Sequence, residues 1–248
     1  MWFLCPTHAD LYLSLGSARL ISATINAEVP SELEPSAAIA DLLSRHPKVN
    51  QVTIWLGDAL VQYGVLRATQ GRLSHQDLLQ LVASELTLPA ASVGQGYQID
   101  LCRPDPLGQR LWAATSQECL AKIAASLKAL RVKVRAIAPV LTALRWSQTL
   151  AARTAATPAS HLLIREPDRL TLLKIDAGQI IAVRQLPVAA DLAAVRQALE
   201  RLQIQTGLPS TEIQWLDLTG AKQLSSQAIG LAAESMLALP KHWQGVHP

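Results

Sequence analysis

The sequence predicts an α/β chain made of two related halves, and three observations carry that prediction. The second half reads strand, strand, strand, helix, strand, helix, with short apolar runs at His161–Arg165, Leu170–Ile175 and Ile180–Leu186 before its first helix. The first half begins similarly, with a hairpin, a helix and a strand at Val52–Leu56, before a longer mixed segment intervenes. Leu (42) and Ala (38) dominate the 248 residues, so helices packed against another layer are expected.

Taken in order, the runs Asp10–Gly16 and Ala18–Ile25 are two strands broken at Gly16-Ser17, the pattern of a tight hairpin. Pro35–Arg45 follows as a short helix with Ile39, Leu42 and Leu43 on one face and Pro35 in its first turn. Val52–Leu56 and Val61–Leu66 are buried strand runs. Ser74-His-Gln-Asp77 is a capping-box variant opening a helix that turns Leu78, Leu79, Val82 and Leu86 inward. Tyr97–Leu101 and Arg110–Ala114 form a strand pair. Ser116 caps a helix carried by Leu120, Ile123, Leu127 and Leu130. A strand at Val132–Ile137 and a helix from Pro139 complete the half.

The Ala/Thr-rich stretch 151–160, with Pro158, is the one internal boundary. It divides a first lobe over 1–150, with an insert over roughly 58–137, from a second lobe over 161–248. In the second lobe Asp191 caps a helix bearing Leu192, Val195, Leu199 and Leu202. Gly207-Leu-Pro209 ends that helix, Glu212–Leu218 is a strand, and a last helix runs to about Leu239.

Composition removes several function classes. Half of the chain is hydrophobic and 17% is charged, against roughly 25% charged in an average soluble domain, which excludes a disordered chain. A formal net charge of +3 is too slight for a committed nucleic-acid binder. Arg131, Lys133 and Arg135 cluster, but they alternate with Val132 and Val134 and read as the solvated face of a strand. No run approaches the roughly 18 apolar residues of a membrane span, and the opening Met1–Leu4 run lacks the basic start of a signal peptide. Cys5, Cys102 and Cys119 are dispersed, which fits a reduced, cytoplasmic compartment. The six histidines are scattered, so no metal site is expected. There is no Gly-x-Ser-x-Gly elbow, and Gly94-Gln-Gly96 does not open a helix, so no catalytic residue is assigned.

Two βββαβα-type halves around a hinge suggest a duplicated ribonuclease-H-like architecture, that of actin, Hsp70 and the sugar kinases, here with an inserted α+β subdomain. Four segments resemble one branch of it. They are Leu11-Tyr-Leu-Ser-Leu-Gly-Ser-Ala-Arg-Leu20, the strand pair running from Val52-Thr-Ile-Trp-Leu56 to Leu66, the helix–strand block Leu120–Pro139, and the hairpin His161–Leu173. Together, over nearly the whole chain, they look like the actin-like cytoplasmic domain of the type IV pilus assembly protein PilM and the type II secretion protein GspL.

That resemblance implies a non-enzymatic cytoplasmic adaptor, held at the inner membrane through its partners. Those are the cytoplasmic segment of an inner-membrane assembly protein and, as a further candidate, the hexameric assembly ATPase. It leaves open a continuation past Pro248 into a membrane helix. Active relatives hold nucleotide between their halves, with an acidic residue in the first phosphate loop, where this chain has Ser14. Mg²⁺ normally takes one or two carboxylates, so ATP with Mg²⁺ is expected to bind weakly or not at all. Gly16, Ser17 and Gly220 remain as a vestigial nucleotide site. Asp176-Ala-Gly178 lies one hairpin too late for the second phosphate loop and reads as a turn. The alternative is a working actin-like ATPase or small-molecule kinase, which requires two acidic residues facing one phosphate site; Asp10, Asp176 and Asp217 are its candidates. For partner binding, the strand Val61–Leu66 is expected at a sheet edge where a peptide could add, flanked by Gln62 and Tyr63.

Overall fold

A computed structural model describes residues 7–14, 17–21, 25–30, 35–67, 73–86, 96–104, 108–141, 159–167, 169–176, 179–188, 191–206 and 213–219. In chain order these hold β1 (Thr7–Leu13), β2 (Ser17–Ile21), β3 (Asn26–Pro30), α1 (Pro35–Arg45), β4 (Val49–Leu56), β5 (Val61–Leu66), α2 (His75–Glu85) and β6 (Tyr97–Leu101). Next come β7 (Arg110–Ser116), α3 (Gln117–Ala129), β8 (Lys133–Pro139), β9 (Ala159–Glu166), β10 (Arg169–Asp176), β11 (Gln179–Pro187), α4 (Leu192–Thr206) and β12 (Ile213–Asp217).

The strands make three sheets, ordered β3-β2-β1-β4-β8, β11-β10-β9-β12 and β5-β7-β6. In the first, β1–β3 is an antiparallel meander and β4 returns through α1 to lie parallel beside β1. The second sheet repeats this plan. β9–β11 is an antiparallel meander, and β12 returns through α4 parallel to β9. Both halves therefore place their first four strands in the order 3-2-1-4. The third sheet is inserted between β4 and β8.

Two expectations change. The run Ala18–Ile25 is not one strand: β2 ends at Ile21, and Asn26–Pro30 is a further strand at the sheet edge. Its apolar signal is a single deeply buried side chain, Val29, and it ends in a proline that only an edge tolerates. Nor are β4 and β5 a strand pair. β4 already has β1 and β8 on its two sides, so the chain leaves the first sheet at Gly57, and β5 pairs with β7 instead. The expected boundary 151–160 is strand at its last two positions, where β9 begins; 142–158 lie outside the described residues, as do most of the helix from Pro139 and the final helix.

The caps form as the sequence implies. Ser74 Oγ accepts from the Asp77 N–H (3.1 Å) and Asp77 Oδ2 accepts from the Ser74 N–H (3.0 Å); Asp191 Oδ1 accepts from the Ala194 N–H (2.8 Å). β9 is buried on both faces: Leu163 packs with Val195, Leu199 and Leu202 of α4, while Leu162 and Ile164 join the large core of the first half. That shared core, with Leu173, Ile175, Leu216 and Leu218, presses the second sheet against the first. The insert has its own small core under α2. There Gly64 lets the Trp112 ring lie so close that a Cβ at Gly64 would come within 2.4 Å of it.

Candidate functional site

β1 and β4 end at the face where the two halves meet, and so do β9 and β12. Glu166, the last residue of β9, crosses that junction. Its Oε1 accepts from the Tyr12 hydroxyl of β1 (2.7 Å), and its Oε2 accepts from the Asp58 backbone N–H just after β4 (2.6 Å). Glu166, Tyr12 and Asp58 are each at most 2% exposed. Gly57 makes room for this clasp, since a Cβ there would sit 3.0 Å from Glu166 Oε1, the Tyr12 hydroxyl and the Leu13 carbonyl.

Beside it, the second half holds a buried ion pair. Arg165 Nη1 donates to Asp217 Oδ2 (2.9 Å), and Asp217 Oδ1 accepts from the backbone N–H (2.9 Å) and hydroxyl (2.6 Å) of Thr219. A third contact ties the insert to the second half. The Gln185 amide of β11 donates to the carbonyls of Asp58 (2.9 Å) and Val61 (2.8 Å), and its oxygen accepts from the Tyr63 N–H (3.3 Å).

Ser14 is buried at the end of β1, and Ser17 opens β2 opposite Pro30. Gly16 and Gly220 lie outside the described residues. Asp10 sits in the middle of β1 opposite Ile21. Asp176 is at the far end of β10 from Glu166, about 23 Å of strand away. Asp217 is spent on Arg165 and Thr219. Gln62 is exposed, but Tyr63 is only 7% exposed. Although β5 is the outer strand of its sheet, its outward groups at Val61 and Tyr63 are already taken by Gln185. The reading of Tyr63 as a presented interface residue is thus corrected, because its ring belongs to the core of the first half. The residues missed from sequence are Tyr12, Asp58, Arg165, Glu166 and Gln185. One signal pointed there: Glu166-Pro167 occupies the turn after the first strand of its half, where a second phosphate loop is expected.

Burial, and then the negative charges of Asp58 and Glu166, push the Tyr63 phenol well above its ordinary pKa. An unfolded Tyr63 loses its proton near pH 10, whereas the folded one keeps it. Tyr63 therefore contributes stability that is complete below about pH 10 and is lost as pH rises toward its folded pKa. Urea unfolding of wild type should weaken above that pH, and Tyr63→Phe should flatten the fall; equal slopes would refute this.

Among the described residues no group of three or more His, Cys, Asp or Glu could hold a metal. Asp58 and Glu166 are the carboxylates closest to the form a nucleotide site would need. An apolar groove of about 360 Å³ lies between the insert and β8, walled by Leu56, Val61, Ala113, Leu120, Ile137 and Pro139. It borders a cavity of about 810 Å³ that shares Ala113, Ile137, Ala138 and Pro139 and reaches Tyr63 and Leu141.

Among solved structures, the chain is similar to the PilM–PilN type IV pilus biogenesis complex, with TM-score 0.65 and 17% identity over 97% of this chain and 90% of that one. It is also similar to a Bacteroides thetaiotaomicron protein with an actin-like ATPase fold and unknown function (TM-score 0.59, 8% identity, 89% and 83% coverage). The fold is actin-like. A third actin-like neighbour is the cytoplasmic domain of EpsL, an inner-membrane component of the type II secretion system of Vibrio cholerae (TM-score 0.55, 13% identity, 95% and 92% coverage). No family model matches the chain, and no curated protein matches it in sequence. No helix among the described residues is long and apolar enough to cross a membrane.

Proposed function

We propose that this actin-like chain is a non-enzymatic scaffold of a type IV pilus or type II secretion assembly machine. In this reading it is a cytoplasmic protein held at the inner membrane by its partners, joining a membrane component's cytoplasmic segment to the assembly ATPase. The observation that carries the reading is the clasp. Both oxygens of Glu166 are engaged by Tyr12 and the Asp58 N–H, so protein groups bridge the halves where active relatives place a nucleotide. The likeness to a PilM–PilN complex and to EpsL supports the choice of machine.

The partner site is the groove between the insert and β8. β8 is the outermost strand of its sheet, so an extended segment can add along it while its apolar side chains fill the groove. Ala124 lines that groove on the outer part of α3. Ala124→Trp should fill it, abolish capture of the membrane component's cytoplasmic segment and leave the melting temperature nearly unchanged. Full capture by this variant would move the site elsewhere.

A second reading, a working ATPase or small-molecule kinase, is favoured by one feature: Asp58 and Glu166 bring two carboxylates to the junction. Calorimetry separates the two. The scaffold reading expects no binding of ATP with Mg²⁺ near micromolar, about 8 kcal/mol of binding free energy; a micromolar constant with turnover would replace it.

A further inference from the structure

Eight of the chain's 22 Lys and Arg, and none of its 19 Asp and Glu, fall within Cys119 to Arg165 inclusive. Much of that charge gathers at one end of the first sheet. α1 runs into β4 and α3 into β8; the helices pack together, and the strands pair in parallel with Gln51 opposite Lys133. Both helix C-termini and both strand starts therefore share the end opposite the Glu166 clasp. Lys48, Lys128, Arg131, Lys133 and Arg135 are all exposed there. None of the five takes part in the Arg45–Asp41, Lys122–Glu118 or Arg165–Asp217 ion pair.

Two backbone details spend regularity on this patch. β8 carries one extra residue, because Val52 faces Val134 while Thr53 faces Ala136, and the unopposed residue is Arg135. Arg131 has φ 56°, directly after the Leu130 cap of α3. Its N–H donates to the Lys128 carbonyl (3.1 Å) and the Val132 N–H to the Leu127 carbonyl (3.0 Å). That is the helix ending at which glycine is the usual and least strained residue. An arginine held there keeps a charge at the cost of backbone strain.

We infer that this end of the first half binds the surface of an anionic lipid bilayer, through Lys48, Lys128, Arg131, Lys133 and Arg135. A bilayer requires only exposed positive charge, which attracts anionic headgroups within a Debye length. A folded acidic partner would want an apolar centre inside the charges. The exposed large apolar residues described, Leu73, Leu81 and Ile204, all lie on other elements. Single-stranded nucleic acid would want aromatic platforms, and the patch residues carry none. The inference is independent of the scaffold reading and its partner groove.

The test is co-sedimentation of the full chain with phosphatidylcholine vesicles, alone or with about 30% phosphatidylglycerol. Binding should need the anionic lipid and fade with added salt. Each charge removed should weaken partitioning about fivefold, so Lys133→Gln with Arg135→Gln should weaken it about 25-fold. Arg131→Gly gives the sharper result, because it should weaken vesicle binding while raising the melting temperature by about 2–4 °C. Absence of binding to anionic vesicles, or binding that survives these substitutions, overturns the inference. Capture on duplex DNA or a polyglutamate column with no vesicle binding also overturns it, by assigning the patch to another class of polyanion.

Discussion

Glu166→Ala should lower the unfolding free energy by about 2–6 kcal/mol, one to three for each buried donor left without its acceptor. The donors are the Tyr12 hydroxyl and the Asp58 N–H, which lie 154 and 108 positions away in sequence. Against a typical total of about 5–15 kcal/mol, that loss is large enough to read directly in a urea titration. Glu166→Gln should lose less, because its amide keeps the shape and one acceptor while turning an NH₂ toward the other donor. A midpoint unmoved by Glu166→Ala would show that the clasp does not hold the halves together.

Asp217→Ala should cost about 3–5 kcal/mol, because it removes the carboxylate paired with the Arg165 guanidinium in a site where that side chain is 3% exposed. It also frees the Thr219 N–H and hydroxyl from their shared acceptor. Replacing both partners, as in Arg165→Met with Asp217→Leu, should recover much of the loss, since an apolar pair of similar volume carries no desolvation penalty. A double variant as unstable as the sum of the singles would mean that the two residues act independently, contrary to the 2.9 Å contact.

The architecture was legible because it is written locally. The short apolar runs of β9 and β10, the Ser74 and Asp191 caps, and the succession of a meander, a helix and a strand are all local signals. β3 was not legible, because Asn26-Ala-Glu-Val-Pro30 is short, offers one large apolar side chain, Val29, and ends in a proline. The partner of β5 was misread because β5 follows β4 closely in sequence, and only the occupation of both sides of β4 forbids their pairing. The junction was the least legible part. Tyr12, Asp58 and Glu166 each look unremarkable in their own segment, and they become a unit only when the two halves are brought face to face. Asp10, Asp176 and Asp217, the acidic candidates in the sequence, do not meet at the junction, whereas the fold brings Glu166 there from the end of β9 and Asp58 from just after β4.

The amide of Gln185 has a consequence for the fate of the chain in a crowded solution. β5 and β11 are each the last strand of a sheet, and a bare last strand is a template on which another copy can lay itself down. Here the two cover one another, stitched by three bonds from a single side chain. Loss of that side chain would leave both sheets intact and uncover two templates at once. Its damage would surface as self-association at high concentration, with the secondary structure of each molecule still in place.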